Sequence, residues 1–343
     1  MARPRVRALV LAAGFGTRLR PLSLVLPKPL LPICGEPVIA HTLRQLRRAG
    51  CEAAVINLHH LPQAIPRQLG TSCYGLPLRY APEEIILGTL GALYPVRDFL
   101  AGADLALLVN GDALARWPWR RLIRAHQRSG ARATLLLHRR AALSDFGGGV
   151  GVGRGGRVVE LRGEAFGDVA RRHVFAGAHV LSRQLLERLE PGPADVVERL
   201  YKPLLRDGEL VRAVYGGRRW HDLGTPARYL AAALDWARGP WPRRLWRGAW
   251  ISPLARVDAS AQVERAVVEA GAEIAAGCRL RRSLVMDGAT VGRDSRVSGC
   301  ILGPGVELPP ASRVEGRLVT TTIAGYSPAD HESVIGSLVY TPL

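Results

Sequence analysis

The chain has 343 residues, 48 % of them hydrophobic, enough for two domains and a sizeable core. No stretch reaches the apolar length that a membrane span requires. Five cysteines (Cys34, Cys51, Cys73, Cys278 and Cys300) are widely spaced, odd in number and without a CxxC pair, which argues against structural zinc and a disulfide framework.

The net charge of +18 raises nucleic acid as a partner. Its distribution argues otherwise. Residues 251–343 are close to neutral, and no basic–aromatic stripe is present. The excess over residues 1–250 is nearly all arginine, which reads as compositional bias, and such a field also draws small anionic substrates. Against that background lysine is informative. Lys28 and Lys202 are the only two. A lysine kept where arginine is the habit suggests a site that needs a compact point charge, and Lys28 has the context for one. Lys202, in LYKPLL, reads as ordinary surface.

The N-terminus carries arginines ahead of an apolar run, as a signal peptide does. The run is short and enters a glycine loop directly, so Val6–Ala12 reads as a first core strand and the protein as cytoplasmic. The loop carries Gly14, Gly16, Thr17 and Arg18, and prolines follow around Lys28. A buried strand running into a glycine loop suits phosphate, because backbone N–H groups close on an anion only where no Cβ intervenes. The dinucleotide fingerprint is excluded because Leu19 stands where its third glycine belongs. The P-loop is excluded because no Gly-Lys-Ser/Thr triplet occurs.

Pro37 can open a helix that Gly50 stops. Ala53–Leu58 is a second buried strand, with His59 and His60 at its end as loop-capping residues. A short helix over Pro62–Leu69 and a strand over Leu78–Ala81 follow. Thr89 is placed to start a helix running to Leu100, with Gly88 allowing close ligand approach. Leu105–Val109 is a fully apolar strand ending in Asn110-Gly111-Asp112. An acid at such a strand end sits where open α/β sheets bind ligands and can hold Mg²⁺ together with substrate phosphates; capping the next turn is the alternative. A helix over Pro118–Arg128 and a strand over Ala133–His138 come next. The glycine-rich segment Phe146–Gly153 fits either a linker or a strand that a ligand covers. Thr225 and Pro226 read as the cap and first residue of a helix.

From Ile251 the pattern changes. Aliphatic residues recur with a period of 17, as in Val257, Ile274, Val291 and Leu308, or Val263, Leu280, Val297 and Val314. This is the hexapeptide repeat of a parallel β-helix, one triangular coil per period. Between the halves, residues 239–250 are rich in Trp and Arg and read as an inter-domain seam.

The linked motifs LAAGFGTRLRP (Leu11–Pro21) and PKPLLP (Pro27–Pro32) closely resemble the signature of the sugar-nucleotide pyrophosphorylases. The resemblance continues in order through Glu84–Leu93, Gly111-Asp112, Phe146-Gly147, Phe175–Leu181 and Trp220–Tyr229. It implies an α/β fold: a Rossmann-like mixed-sheet nucleotidyltransferase domain (1–238), then a left-handed parallel β-helix (251–322) and a tail (323–343). It implies a nucleotide site at Leu11, Ala12, Ala13, Gly14, Gly16, Thr17, Gly88 and Thr89. Arg18 would face the leaving pyrophosphate, and Lys28 would bridge the α-phosphate and sugar phosphate. Asp112 and Asp222 would hold Mg²⁺, and Asn110, Gly147, Glu160 and Gly177 would contact the sugar. The usual Glu-Lys-Pro is absent here, and Glu160 or Arg162 stands in its place. The LGTLGAL element and Asn110-Gly111-Asp112 look most like mannose-1-phosphate guanylyltransferases; a uridylyltransferase and an idle, regulatory nucleotide-sugar binder are the alternatives. No histidine lies between His221 and His331, which disfavours acyl transfer and leaves the β-helix a structural, oligomerising or regulatory role. A homo-oligomer formed through the β-helix is expected.

Overall fold

The apolar run that precedes the glycine loop forms a strand, β1 (Val6–Leu11), in the middle of a sheet. The computed structural model describes residues 4–139, 142–216, 219–239, 245–246 and 248–343. These divide into two compact units. One comprises the chain up to Phe15 together with Ile39–Trp220; the other comprises Gly16–Val38 together with His221–Leu343.

In the first unit, β1 is flanked in parallel by β2 (Ala53–Leu58) and, on its other side, by the strand Leu105–Asn110. Leu9 faces Val55 on one neighbour and Leu108 on the other. The three strands are almost wholly aliphatic because parallel strands are covered on both faces, and Leu9, Val55 and Leu108 are all buried. A strand over Leu76–Pro82 extends the sheet beyond β2. Beyond Leu105–Asn110 the long strand Arg171–Ser182 runs antiparallel, with Val180 opposite Leu107. Its register against the strand Ala133–His138 breaks between Phe175 and His179, so the chain bulges at Gly177, whose φ is +83°.

Two local expectations are corrected, and one open alternative is decided. The helix foreseen from Thr89 to Leu100 is split into Gly88–Gly91, a single 3₁₀ turn Tyr94–Val96 and Arg97–Ala101. Pro95 has no N–H to continue the ladder, and Leu87, not Thr89, precedes the first turn. Pro37 closes the short strand Glu36–Pro37, and α1 begins at Val38 and runs to Ala49. The glycine-rich segment is no linker: Gly147, Gly148 and Gly149 form a left-handed turn (φ +63°, +82°, +82°) leading into the strand Val150–Val152.

The second unit contains the segment Gly16–Val38, a helix α2 (Pro226–Ala237) and the repeat. Thr225 caps α2 by accepting from Arg228 N, and Pro226 takes the first position. In the repeat, strands pair in parallel with the strand one period on: Val257 with Ile274, Val291 with Leu308, Val263 with Leu280, and Val268 with Val285. Three parallel ladders result, as a β-helix requires, and Val263, Val268, Leu280, Val285, Val291 and Leu302 are buried inside. The tail is part of the fold, because Leu338–Pro342 pairs antiparallel with Arg317–Thr321 and Ser333–Ile335 forms the sheet edge. Of the Trp/Arg-rich seam, residues 240–244 and 247 lie outside the described residues. No helix among the described residues is long and apolar enough to cross a membrane.

Candidate active site

The segment Gly16–Val38 cannot form long helices because prolines interrupt it, and it folds into three 3₁₀ turns. Gly16 sits at φ +62°, where a Cβ would lie 3.3 Å from Ser23 Cβ and 3.6 Å from Lys28 Cβ, and Ser23 Oγ donates to the Gly16 carbonyl at 2.8 Å. The loop is thereby folded down beside Lys28. Lys28 is 8 % exposed. Its Nζ lies 3.8 Å from Asp222 Oδ1, and the other carboxylate oxygen accepts from Arg228 Nη1 at 3.0 Å and from Gly224 N at 3.2 Å. A Cβ on Gly224 would stand 2.8 Å from Arg18 Nη2 and 2.6 Å from Asp222 Oδ2, so a larger residue here would push these two side-chain ends aside. Two cations, Lys28 and Arg228, therefore converge on one carboxylate, with the Arg18 guanidinium beside Gly224. The carboxylate orders them, and the surplus positive charge suits phosphate oxygens.

In the first unit the apolar strands end in a buried polar relay. Ala12 N donates to Asn57 Oδ1 at 2.7 Å, and Asn57 Nδ2 donates to Glu83 Oε1 at 2.8 Å. Glu83 Oε2 accepts from Leu87 N at 3.0 Å. One side-chain pair thus fixes both the Leu11–Ala13 strand exit and the Gly88-Thr89 element. Ala12 and Ala13 are buried, Gly14 and Thr17 are exposed, and among the described residues nothing beyond the adjacent ones lies within 4 Å of a Cβ built on Gly14. A Cβ on Gly88 (φ +73°) would stand 2.8 Å from the Ala194 carbonyl, so packing requires this glycine as much as any ligand does. His59 caps its loop through the Glu83 carbonyl at 2.9 Å.

A cavity of 440 Å³ opens in the same unit, lined by Thr89, Asn110, Phe146, Gly147, His179 and Tyr201 among others. Asn110 is pressed against the Gly177 bulge, where a Cβ would meet Asn110 Nδ2 at 3.0 Å. His179 Nδ1 lies 2.5 Å from the Tyr201 hydroxyl, while its Nε2 is buried without a hydrogen-bond partner among the described residues. Burial pushes this imidazole down to about 3, so it is neutral. The tyrosine hydroxyl has one hydrogen; donating it to Nδ1 leaves Nε2 as an N–H donor.

Asp112 is half-buried directly after Gly111, whose N–H donates to the Leu11 carbonyl at 2.8 Å. A Cβ on Gly111 would stand 2.9 Å from that oxygen, so the glycine sets Asp112 at the strand exit. Glu160 does not line the cavity. Its carboxylate pairs with Arg172 at 2.9 Å, whereas Arg162 is among the lining residues and pairs with Asp195 at 2.8 Å. Lys202 is not ordinary surface: it is 8 % exposed and pairs with Glu164 at 3.0 Å and Glu198 at 2.9 Å. Sequence reasoning missed Asn57, Glu83, Arg228, His179 and Tyr201. The signal for Asn57 and His179 was present as a polar residue inside an otherwise apolar strand, which burial obliges to find a partner.

Among the described residues no cluster of three or more His, Cys, Asp and Glu side chains forms a metal cage. A hard cation of the Mg²⁺ kind needs no such cage, since it takes one or two carboxylates and completes its shell with water and substrate phosphates; the carboxyl of Asp112 in the first unit and that of Asp222 in the second are each chemically suited to one such bond.

A family model described as nucleotidyl transferase matches residues 7–239. The chain belongs to the nucleotidyl transferase family. A second model, described as the GMPPB C-terminal domain, matches residues 247–341 of this nucleotidyl transferase. It is 35 % identical over 253 residues to a mannose-1-phosphate guanylyltransferase of Mycobacterium tuberculosis, covering 72 % of this chain and 69 % of that one. It is 30 % identical to the probable mannose-1-phosphate guanylyltransferase 1 of Oryza sativa subsp. japonica, over 72 % of this chain and 70 % of the other. It is 26 % identical to the mannose-1-phosphate guanylyltransferase catalytic subunit beta of Danio rerio, over 75 % of this chain and 73 % of the other.

Proposed function

We propose that the protein joins GTP and mannose 1-phosphate to give GDP-mannose and pyrophosphate. A sugar-phosphate oxygen attacks the α-phosphorus of the nucleotide. The bond from that phosphorus to the β-phosphate's bridging oxygen breaks, and pyrophosphate leaves with the electron pair. Such a reaction asks for alignment and neutralisation of charge rather than covalent help. The observation that carries the reading is the convergence of Lys28 and Arg228 on Asp222, with Arg18 beside Gly224, in a family whose similar members are named for this transfer.

Lys28 bridges the α-phosphate and the sugar phosphate, and Arg18 faces the departing pyrophosphate. The nucleotide lies on Leu11, Ala12, Ala13, Gly14, Gly16 and Thr17, with Gly88 and Thr89 beside it. The sugar takes the cavity of 440 Å³, a size usual for small-ligand sites, against Asn110, Gly147 and Gly177. His179 Nε2–H is a donor for a sugar hydroxyl, and Arg162 suits the position at the cavity better than Glu160, which Arg172 already holds. Asp112 and Asp222 are the carboxylates for Mg²⁺, which when bound supplies Lewis acidity and a template for the phosphates.

Transfer chemistry is assigned to residues 1–238 and the repeat to 251–322. Five cysteines outside any disulfide support a reducing, cytoplasmic setting. Val334 and Ile335, 49 % and 65 % exposed on the sheet edge, support self-association through the β-helix. Pyrophosphate release measured over a panel of nucleoside triphosphates and sugar 1-phosphates tests the assignment. Turnover confined to another pair, or none at all, overturns it.

A further inference from the structure

One carboxylate of the repeat is buried and accepts its hydrogen bond from outside the β-helix. Glu269 directly follows the strand Val267–Val268 and is 2 % exposed. Its Oε2 accepts from Gly35 N at 2.8 Å, the Cys34 N–H also faces the carboxylate, and Oε1 has no hydrogen-bond partner among the described residues. Burying a carboxylate this deeply is costly unless something requires it.

What it holds is a strained turn. Pro32–Ile33 and Glu36–Pro37 form a two-residue hairpin, and both turn residues have positive φ, Cys34 at +53° and Gly35 at +83°. Such turns favour Asn-Gly or Asp-Gly; a cysteine in the left-handed region persists only where its surroundings over-determine it. The surroundings here are specific. The Trp250 indole stands 3.2 Å from where a Gly35 Cβ would lie, and the Tyr229 hydroxyl donates to the Pro32 carbonyl at 2.6 Å. The chain from this hairpin back to Lys28 is short and hydrogen-bonded throughout: Val38 N donates to Leu31 O at 3.0 Å, and Leu31 N donates to Lys28 O at 3.2 Å. Tyr229 lies on α2, the helix that also carries Arg228 to Asp222.

We propose that Glu269 is a positioning residue for nucleotidyl transfer, fixing the Cys34–Gly35 turn and through it the placement of Lys28 against Asp222. The first coils of the β-helix then belong to the catalytic scaffold, and the repeat acts on the reaction as well as on stability. This rests on the transfer reading through Lys28.

The test uses the full-length chain with E269A, E269Q and, as control, V297A, a truncation in the buried core of a later coil. Thermal midpoint, kcat and KM are measured for each. E269A is expected to lose kcat by about 10- to 100-fold, the scale of a misplacement near 1 Å, with KM changed far less. E269Q, whose amide oxygen still accepts from Gly35, restores most of that rate, and V297A keeps kcat despite a lowered midpoint. Hydrogen exchange at the Cys34 and Gly35 amides supplies a readout that survives if E269A does not fold: protection in the wild type is expected, and rapid exchange contradicts the proposal. Wild-type kcat in E269A, or an equal loss in V297A, overturns it. If K28A is also fully active, the transfer reading falls instead.

Discussion

Lys28 Nζ lies 3.8 Å from one oxygen of Asp222, and Arg228 Nη1 lies 3.0 Å from the other. The carboxylate thus orders a lysine from a proline-rich segment and an arginine from a helix some two hundred residues later in the chain. Replacing Asp222 by Asn keeps the shape and removes the charge that aligns them. Both D222N and K28A are expected to lower kcat/KM by at least about a hundredfold while the fold survives. K28R is expected to recover little, because a planar fork does not substitute for a compact ammonium. Steady-state kinetics with circular dichroism on each variant checks this.

His179 is expected to act on the sugar and not on the nucleotide. H179F keeps the ring and removes the Nε2–H donor. It should raise KM for the sugar 1-phosphate by about tenfold, the worth of one hydrogen bond of about 1.4 kcal/mol, and leave KM for the nucleotide unchanged. Y201F, which removes the hydroxyl that sets the tautomer, should move the same constant in the same direction. An effect on nucleotide KM alone contradicts the placement of the sugar in this cavity.

Gly177 combines φ +83° with a neighbour, Asn110, that a Cβ would meet at 3.0 Å. G177A is expected to cost about 1–2 kcal/mol of stability from the left-handed backbone alone. Because the new methyl displaces Asn110, activity should fall further than the midpoint of denaturation suggests. Chemical denaturation beside kinetics separates the two.

Glu269 also leaves a mark on stability against pH. Burial pushes its carboxyl from an ordinary 4.5 up to about 7, opposed by the Gly35 and Cys34 N–H groups and reinforced by Asp287. The folded chain therefore holds a proton that the unfolded chain has released between pH 4.5 and about 7. Stability from this group falls as pH rises through that window, by about 3 kcal/mol in all. His126, pushed down to about 4 by burial, works in the opposite direction: its contribution is present above about pH 6.5 and lost towards 4. The wild-type minus E269Q difference isolates Glu269. E269Q should gain relative stability as pH rises, and a pH-independent difference contradicts the shift.

Much of this was legible in the sequence because it depends on period and local chemistry. The 17-residue repeat placed Val263, Val268, Ile274 and Leu280 inside the β-helix because one ladder per side leaves no other inward register. Thr225-Pro226 named a helix start that the geometry repeats in full. The helix expected over Thr89–Leu100 failed because helical spacing persists across Pro95 although the backbone ladder does not. Glu160 and Arg162 are two residues apart, yet Arg172, on a strand paired to neither by sequence proximity, decides which is held away from the cavity. Glu269 was invisible for the same reason. Its partners, Gly35 and Cys34, precede it by more than two hundred residues, and no periodicity of the repeat requires an acid there.

The most direct measurement is pyrophosphate release by the purified full-length chain with GTP and mannose 1-phosphate in the presence of Mg²⁺, set beside the other nucleoside triphosphates and sugar 1-phosphates. The expected result is stoichiometric GDP-mannose and pyrophosphate with this pair, and loss of both products in K28A. Product formation unchanged in K28A, or absent from the wild type with every pair, contradicts the account.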